Sequence, residues 1–310
     1  MVEHPPEATM SMRPHLLVLF LACALLAQAP ARKLHPELLV STTWLADNLK
    51  DPDLVLLHVA DTFADYRRGH IPGARYLATA KFIDNAGPLG SELPPVETLV
   101  KTFSELGISE RSRVVIYATA WMPNAARAFF TLDYLGRGDR AALLDGGIEQ
   151  WLAEDRPVTG ALPAFAATVF VPKVRPEVRA SLEEVKAVVE APQAACQVLD
   201  SRPERRYKAG HLSGANHVYW QETLVDEEHP VFQPVAKLEA LLATRGLLPG
   251  RKVVTYCEVG LQAAHGYFLC RYLGYEATLF DGSFQAWTAA KLPALSGGEK
   301  TAPPPAPPKN

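Results

Sequence analysis

The feature that most constrains this chain is an internal duplication: one unit of about 120 residues occurs twice. Matched landmarks follow one another in the same order, at offsets between 136 and 141 residues. The pairs are Gly69–Ala74 with Gly210–Ala215, Val114–Tyr117 with Val253–Tyr256, Tyr134–Gly136 with Tyr272–Gly274, Leu144–Gly147 with Phe280–Ser283, and Trp151 with Trp287. This period is far longer than that of a solenoid repeat, so each copy is large enough to bury its own core.

In both copies, short apolar runs alternate with longer segments whose apolar residues recur at helical spacing. The runs predicted as strands are 54–59, 113–117, 142–144, 197–199, 252–256 and 277–280. The predicted helices are 96–106, 125–135, 235–247 and 262–273. Alternating strands and helices predict an α/β fold in which each copy has a mostly parallel sheet flanked by helices. We place the two domains at 36–160 and 180–296.

The segments outside the two copies differ from them in composition. Residues 161–179 are interrupted by prolines and are predicted to be a linker, and the Pro-rich tail 297–310 is predicted to be disordered. The apolar run Leu16–Leu26 is too short to span a membrane, follows Arg13 and precedes the small residues that end at Ala31. This layout predicts a signal peptide over residues 1–31 and hence a periplasmic or secreted protein, without stable membrane insertion after cleavage. The alternative is a lipid anchor on Cys23.

Charge and cysteine content exclude several classes of function. The 310-residue chain has a net charge of −3, whereas a nucleic-acid-binding protein usually has a basic balance, so no nucleic-acid partner is expected. Four cysteines are too few for a disulfide scaffold, and the absence of a CxxC pair argues against a zinc-ribbon site. Neither a metal nor an organic cofactor is implied, and the sequence does not indicate an oligomeric state.

The segment Tyr256–Ala263 (YCEVGLQA) holds the residue best placed for chemistry, Cys257. A β-branched strand ends just before this cysteine, and a helix is predicted to begin near Gln262. The loop between them can turn its backbone N–H groups toward one centre at the helix N-terminus, where negative charge is favoured. Gly260 permits the tight turn. We therefore expect a thiol of lowered pKa that reacts as the thiolate, whereas Cys196 and Cys270 are expected to be structural.

These motifs resemble the rhodanese domain, and the chain from about residue 39 to residue 294 resembles tandem-domain thiosulfate and 3-mercaptopyruvate sulfurtransferases. The segments that carry the resemblance are Asp200–Arg202, Gly210–Ala215, the six-residue loop that opens with Cys257, and Asp281–Trp287. The resemblance implies that Cys257 takes a sulfane sulfur from a small anionic donor, becomes a persulfide, and passes the sulfur to a thiol or to cyanide.

The resemblance also assigns the remaining candidate residues. It implies that Arg202 contacts the anionic substrate, although an ion pair with Asp200 or Glu204 is the alternative. The loop residues expected to bind substrate are Glu258, Val259, Gly260, Leu261 and Gln262. Asp200 and His211 are expected to play supporting roles, and the presence of His70 in the other copy favours a structural role for His211. Ala118 stands where Cys257 stands in the second copy, so the first copy is predicted to be catalytically inactive.

Two departures from the family pattern leave the donor open. Thiosulfate-preferring relatives have a basic residue two positions after the cysteine, where this chain has Val259, and mercaptopyruvate-preferring relatives have Gly and Ser at the next two positions. The acidic Glu258 should repel a dianionic donor. A phosphatase or arsenate reductase is disfavoured, because Ala263 stands where a C-x5-R motif needs arginine. A disulfide oxidoreductase is disfavoured because no resolving cysteine is near. A non-enzymatic sulfur carrier or interaction protein remains the alternative.

Overall fold

The computed structural model describes Met1 and residues 33–119, 121–191 and 196–298. The predicted signal peptide beyond Met1, with Cys23, and residues 299–310 of the predicted tail lie outside the described residues. No helix in the described part of the chain is long and apolar enough to cross a membrane.

The first copy forms a five-stranded sheet flanked by helices. In chain order its elements are β1 (Leu39–Val40), α1 (Thr42–Asn48), β2 (Leu54–Ala60), α2 (Phe63–Arg68), β3 (Arg75–Ala78), α3 (Val96–Glu105), β4 (Arg113–Ala118), α4 (Met122–Tyr134), β5 (Ala141–Leu144) and α5 (Gly147–Ala153). The strands lie in the order β1-β5-β4-β2-β3 and all four pairings are parallel. The central strands read as continuous apolar runs because helices cover both of their faces.

The second copy repeats this arrangement. Its elements are β6 (Arg179–Ala180), α6 (Leu182–Glu190), β7 (Cys196–Asp200), α7 (Glu204–Ala209), β8 (Ala215–His217), α8 (Val235–Thr244), β9 (Lys252–Tyr256), α9 (Leu261–Tyr272), β10 (Ala277–Phe280) and α10 (Ser283–Ala289). The strand order β6-β10-β9-β7-β8 is the same permutation, again with parallel pairings throughout. The predicted α/β class and parallel sheets are therefore confirmed.

The sequence did not predict the edge strands. These strands, β1, β3, β6 and β8, have two to four residues each. A run this short has no measurable periodicity, so it is recognised as a strand only through its pairing with a neighbour.

The two copies share an apolar interface built from helices α4 and α9. The rings of Phe129 and Phe268 meet edge to face with centroids 5.0 Å apart, and those of Phe130 and Tyr267 do so at 5.1 Å. One continuous cluster of buried apolar residues therefore extends from the first copy into the second. Edge-to-face pairs add to the stabilisation that comes from burying these large rings.

Reciprocal hydrogen bonds join the copies at their edges. The backbone N–H of Leu93 donates to Asp281 Oδ2 (2.9 Å), and the backbone N–H of Phe232 donates to Asp145 Oδ1 (2.9 Å). Asp145 and Asp281 occupy equivalent positions in the duplicated Asp-Gly motif, so each copy uses the same aspartate to hold a loop of the other.

The predicted linker is fixed to the first copy along much of its length. Thr168 N–H donates to the carbonyl of Ser104 (3.0 Å), and Arg175 N–H donates to that of Tyr134 (2.7 Å). Phe170 between them is buried. The linker is therefore packed against the first copy rather than being a free connection.

Candidate active site

Cys257 lies directly after β9, at the N-terminal end of α9. Its side chain is 1% exposed, and the backbone N–H of Gly260 donates to its Sγ at 3.1 Å. The backbone N–H groups of Val259 and Ala263 also interact with this sulfur. Three N–H groups thus surround Sγ, which is the arrangement that stabilises an anion at a helix N-terminus.

Burial has the opposite effect on this thiol. Loss of hydration raises the pKa of Cys257 above its ordinary value, and the three backbone N–H groups lower it by less. The expectation that the loop lowers the thiol pKa is therefore wrong for the free protein. The sequence reveals the converging N–H groups but not the depth at which the sulfur lies. The N–H groups therefore offset only part of the effect of burial on this thiol.

The start of α10 holds the loop in place. Ser283 Oγ accepts a hydrogen bond from the backbone N–H of Cys257 (3.1 Å) and donates to the carbonyl of Phe280 (2.8 Å). Gly260 has φ +87°, and a Cβ there would lie 2.7 Å from the carbonyl oxygen of Asp281. Glycine is required at this position because the left-handed backbone and the close approach both exclude a side chain.

Arg202 lines the cavity beside Cys257, but most of its hydrogen-bond donors already have protein partners. Its side chain is 1% exposed, its Nη2 donates to Asp200 Oδ2 (2.7 Å) and to the carbonyl of Gly210 (2.7 Å), and its Nε also donates to Asp200. The guanidinium lies 4.1 Å above the ring of Phe284. Its Nη1 donates to Glu258 Oε2 (3.2 Å). The alternative ion pair with Asp200 is therefore present, and this arginine is mainly committed to protein partners.

Sequence reasoning missed Arg206. Its side chain is exposed and lines the cavity of about 280 Å³ into which Cys257 opens. It lies in the first turn of α7, four residues after Arg202, which itself precedes the helix.

The other predicted binding residues form the walls of the same cavity. Glu258, Val259, Leu261 and Gln262 line it together with Arg202, Pro203 and Trp121. Gly260 contacts the sulfur through its N–H and is not among the lining residues. Trp121 belongs to the first copy, so the cavity lies where the two copies meet.

The predicted supporting residues are both buried. Asp200 is the partner of Arg202 described above. His211 Nδ1 lies 2.9 Å from the carbonyl oxygen of Tyr207, and its ring stacks on that of Tyr207 at 3.9 Å. His70 and Tyr66 repeat both contacts in the first copy, at 3.0 and 3.9 Å. A contact that both copies retain points to a role in the fold.

The first copy has lost more than the nucleophile. Tyr117 and Tyr256 occupy equivalent positions, since each hydroxyl accepts the backbone N–H of the equivalent residue, Ile71 or Leu212. Ala118 therefore stands at the position of Cys257. The sheet register places His58 opposite Tyr117, as Asp200 is opposite Tyr256. The first copy thus lacks both the thiol and the buried aspartate that holds Arg202.

No group of three or more His, Cys, Asp or Glu side chains within 33–119, 121–191 and 196–298 is arranged to hold a metal ion. No disulfide joins the three cysteines of these ranges, Cys196, Cys257 and Cys270.

Comparisons with known proteins match this architecture. The chain is 29% identical over 286 residues to the sulfur carrier protein TtuD of Thermus thermophilus, covering 86% of this chain and 99% of that protein. It is 27% identical over 287 residues to a thiosulfate sulfurtransferase of Corynebacterium glutamicum, covering 86% and 93%. The crystal structure of the 3-mercaptopyruvate sulfotransferase SseA from Escherichia coli superposes with a TM-score of 0.72 at 25% identity, over 79% of this chain and 98% of that one. The model of the Rhodanese-like domain matches residues 41–154 and 181–290. Since these two matches span most of the sequence, the chain belongs to the rhodanese-like domain family.

Proposed function

We propose that this protein is a sulfurtransferase that moves a sulfane sulfur from a small anionic donor to a thiol or cyanide through a persulfide on Cys257. The observation that carries the proposal is the convergence of backbone N–H groups on Cys257 Sγ at the floor of a cavity that Arg206 lines. The relatives named as sulfurtransferases support it.

The reaction has two half-reactions. The thiol of Cys257 loses its proton to solvent, and the thiolate attacks the outer sulfur of the donor. With thiosulfate the S–S bond breaks and sulfite leaves with the bonding electrons. With 3-mercaptopyruvate the C–S bond breaks, and the leaving enolate takes up a proton to become pyruvate. An acceptor nucleophile then attacks the outer sulfur of the persulfide and releases the Cys257 thiolate.

The chain's own groups have separate roles in these steps. The N–H groups of Val259, Gly260 and Ala263 stabilise the thiolate and the persulfide anion. Arg206 binds the anionic end of the donor, since a guanidinium pairs with two oxygens at once. Arg202 is a positioning residue that fixes the cavity wall and holds the carboxylate of Glu258.

The charges at the cavity favour a monoanionic donor. The positive charges of Arg202 and Arg206 are offset by the carboxylates of Asp200 and Glu258, so the groups sum to zero. Thiosulfate is a dianion, so Arg206 can neutralise only one of its two charges, and Glu258 repels the other. 3-Mercaptopyruvate has a single carboxylate, which Arg206 can neutralise. We therefore propose 3-mercaptopyruvate-like donors over thiosulfate, and we expect Glu258→Gln to raise kcat/KM for thiosulfate by about tenfold relative to that for 3-mercaptopyruvate.

The domain limits and the cellular location are part of the proposal. The catalytic unit is 180–296, the inactive copy is 36–160, and the leader 1–31 directs export to the periplasm or beyond. Fusing residues 1–40 to a reporter and fractionating the cells tests the last point, because a cytosolic and uncleaved reporter would refute export.

A second candidate function is sulfur carriage without turnover. The relative named as a sulfur carrier protein and the raised pKa of the buried thiol favour it. Steady-state assays with both donors and with cyanide separate the two, since a carrier is loaded once and does not turn over.

Intact-mass analysis after incubation with each donor tests the persulfide. The wild type is expected to gain the mass of one sulfur atom and Cys257→Ser none, while Cys196 and Cys270 remain in both proteins as internal controls. An adduct that survives in Cys257→Ser would overturn the assignment.

A further inference from the structure

A second cavity, of about 450 Å³, lies over the inactive loop of the first copy. Ala118, which replaces the nucleophile, lines it together with Trp121 and Met122. The loop after β8 in the second copy closes it from the opposite side through Tyr219 and Trp220. The position that lost its thiol therefore still opens into a space large enough for a small molecule.

The walls of this cavity are aromatic. The rings of Trp121 and Trp220 meet edge to face with centroids 6.4 Å apart, and those of Tyr219 and Trp220 do so at 6.0 Å. Trp220 is 6% exposed, so its ring is part of the packed wall. The cavity thus has the electron-rich ring faces that attract cations.

The charged residues that line the cavity are all acidic. They are Glu149 from the first copy and Glu227 and Glu228 from the second. Within the described ranges, neither Glu227 nor Glu228 forms an ion pair with a basic side chain. Glu227 lines the same cavity as the rings of Tyr219 and Trp220. Rings and carboxylates together select a ligand with a positive charge.

This cavity adjoins that of Cys257. Trp121 and Gln262 line both cavities. These two side chains therefore form part of the boundary between the acidic cavity and the cavity of the reactive sulfur. The charge differs between the two spaces, because Arg202, Arg206 and Glu258 line the Cys257 cavity, whereas the charged residues that line the second one are all acidic.

We propose that the acidic cavity binds the ammonium end of the sulfur acceptor, and that the acceptor is a small organic cation that carries a thiol. The inference rests on the proposed sulfur transfer. The acceptor thiol loses its proton to solvent, and its thiolate attacks the outer sulfur of the Cys257 persulfide. The S–S bond to Cys257 breaks, the cysteine leaves as thiolate, and the acceptor becomes a persulfide, so no oxidant or reductant is consumed.

Binding is tested first, without sulfur chemistry. Choline is titrated into the unloaded protein while the tryptophan fluorescence, to which Trp121 and Trp220 contribute, is recorded. We expect this fluorescence to change in a saturable way. The double variant Glu227→Gln/Glu228→Gln is expected to weaken it by about tenfold, and Tyr219→Leu by a similar factor. Glu110→Gln, an exposed carboxylate ahead of β4, is the matched control and should leave binding unchanged. The absence of saturable binding to a folded wild type, or equal affinity in the double variant, would overturn the proposal.

Acceptor preference is tested next, on protein preloaded with sulfur. Cysteamine and 2-mercaptoethanol differ only in ammonium against hydroxyl, and they are compared at equal thiolate concentration. We expect at least about tenfold faster discharge by cysteamine, and loss of that preference in Glu227→Gln/Glu228→Gln with the donor half-reaction unchanged. If the Cys257 persulfide forms but the two thiols discharge it at equal rates, the acceptor site is refuted and the proposed function is not. Failure of every donor to load Cys257 would instead refute the proposed function, and the choline titration would still decide the cavity.

Discussion

Replacing each of the twin aspartates by asparagine should have opposite effects on stability, because the two carboxylates have different neighbours. Asp281 is 1% exposed, and its Oδ1 lies 2.6 Å from Nη1 of the fully buried Arg127. Its Oδ2 faces Nε of Arg179 at 3.2 Å and accepts the backbone N–H of Leu93. Both oxygens therefore face donors, so an amide NH₂ would meet a donor in either orientation.

The loss of stability expected for Asp281→Asn follows from the positive charge of Arg127, which the substitution leaves in place. Arg127 would stay buried without its counter-ion, and breaking a buried pair in this way costs about 3–5 kcal/mol. For a chain of this size, that corresponds to a fall in Tm on the order of 10 °C.

Asp145 has no basic partner in the ranges that the structure describes. Its carboxylate accepts only backbone N–H groups, those of Phe232 and Gly146, and burial raises its pKa to about 6. The folded state therefore binds the proton more tightly than the unfolded state, so stability falls as pH rises from about 4 through 6. Above pH 6, burying the ionised carboxylate costs up to about 3 kcal/mol. Asparagine lacks this cost, so Asp145→Asn should raise stability at pH 7.5 and lose that advantage near pH 4.

Calorimetric Tm values of the wild type and both variants at pH 4 and 7.5 test this contrast. Glu110→Gln serves as a surface control. Equal losses in the two variants at pH 7.5, or a gain for Asp145→Asn that is the same at both pH values, would refute the reasoning that the charged neighbours decide the sign.

Three further predictions concern the site. Arg206→Gln should raise KM for an anionic donor by about tenfold without lowering Tm, and unchanged kinetics in this variant would contradict donor binding by Arg206. Arg202→Gln should instead lower the free energy of unfolding by about 3–5 kcal/mol. Gly260→Ala should lower the kcat of sulfur transfer at least about tenfold. Gly214→Ala is the control, because Gly214 has φ +76° and no atom lies within 4 Å of the added Cβ; it should lower stability through backbone strain and leave kcat unchanged. Because burial raises the pKa of Cys257, its alkylation by iodoacetamide, followed by peptide mass spectrometry, should still accelerate above about pH 9; a plateau below pH 8 would contradict this.

Much of the fold could be predicted because its signals are local. The β-branched run before Cys257 and the glycine after each central helix depend on neighbours in the sequence, and the observed β9 and α9 agree with them to within a residue. The position of Cys257 in a turn between strand and helix followed from the same local pattern. Arg206 was missed because its role depends on exposure, which the sequence pattern of a short helix does not report.

The sequence alone determined the duplication, the parallel α/β architecture and the loss of the thiol at Ala118, because periodicity and residue identity are written along the chain. Only the tertiary structure decided which arginine is available. Arg202 and Arg206 are chemically identical, four residues apart and both line the cavity, but Asp200, Gly210 and Phe284 surround the first, whereas the second is exposed. The pKa of Cys257 was decided in the same way. Hydration and partners depend on residues that are distant in sequence and close in space, and they set the charge and reactivity of a side chain.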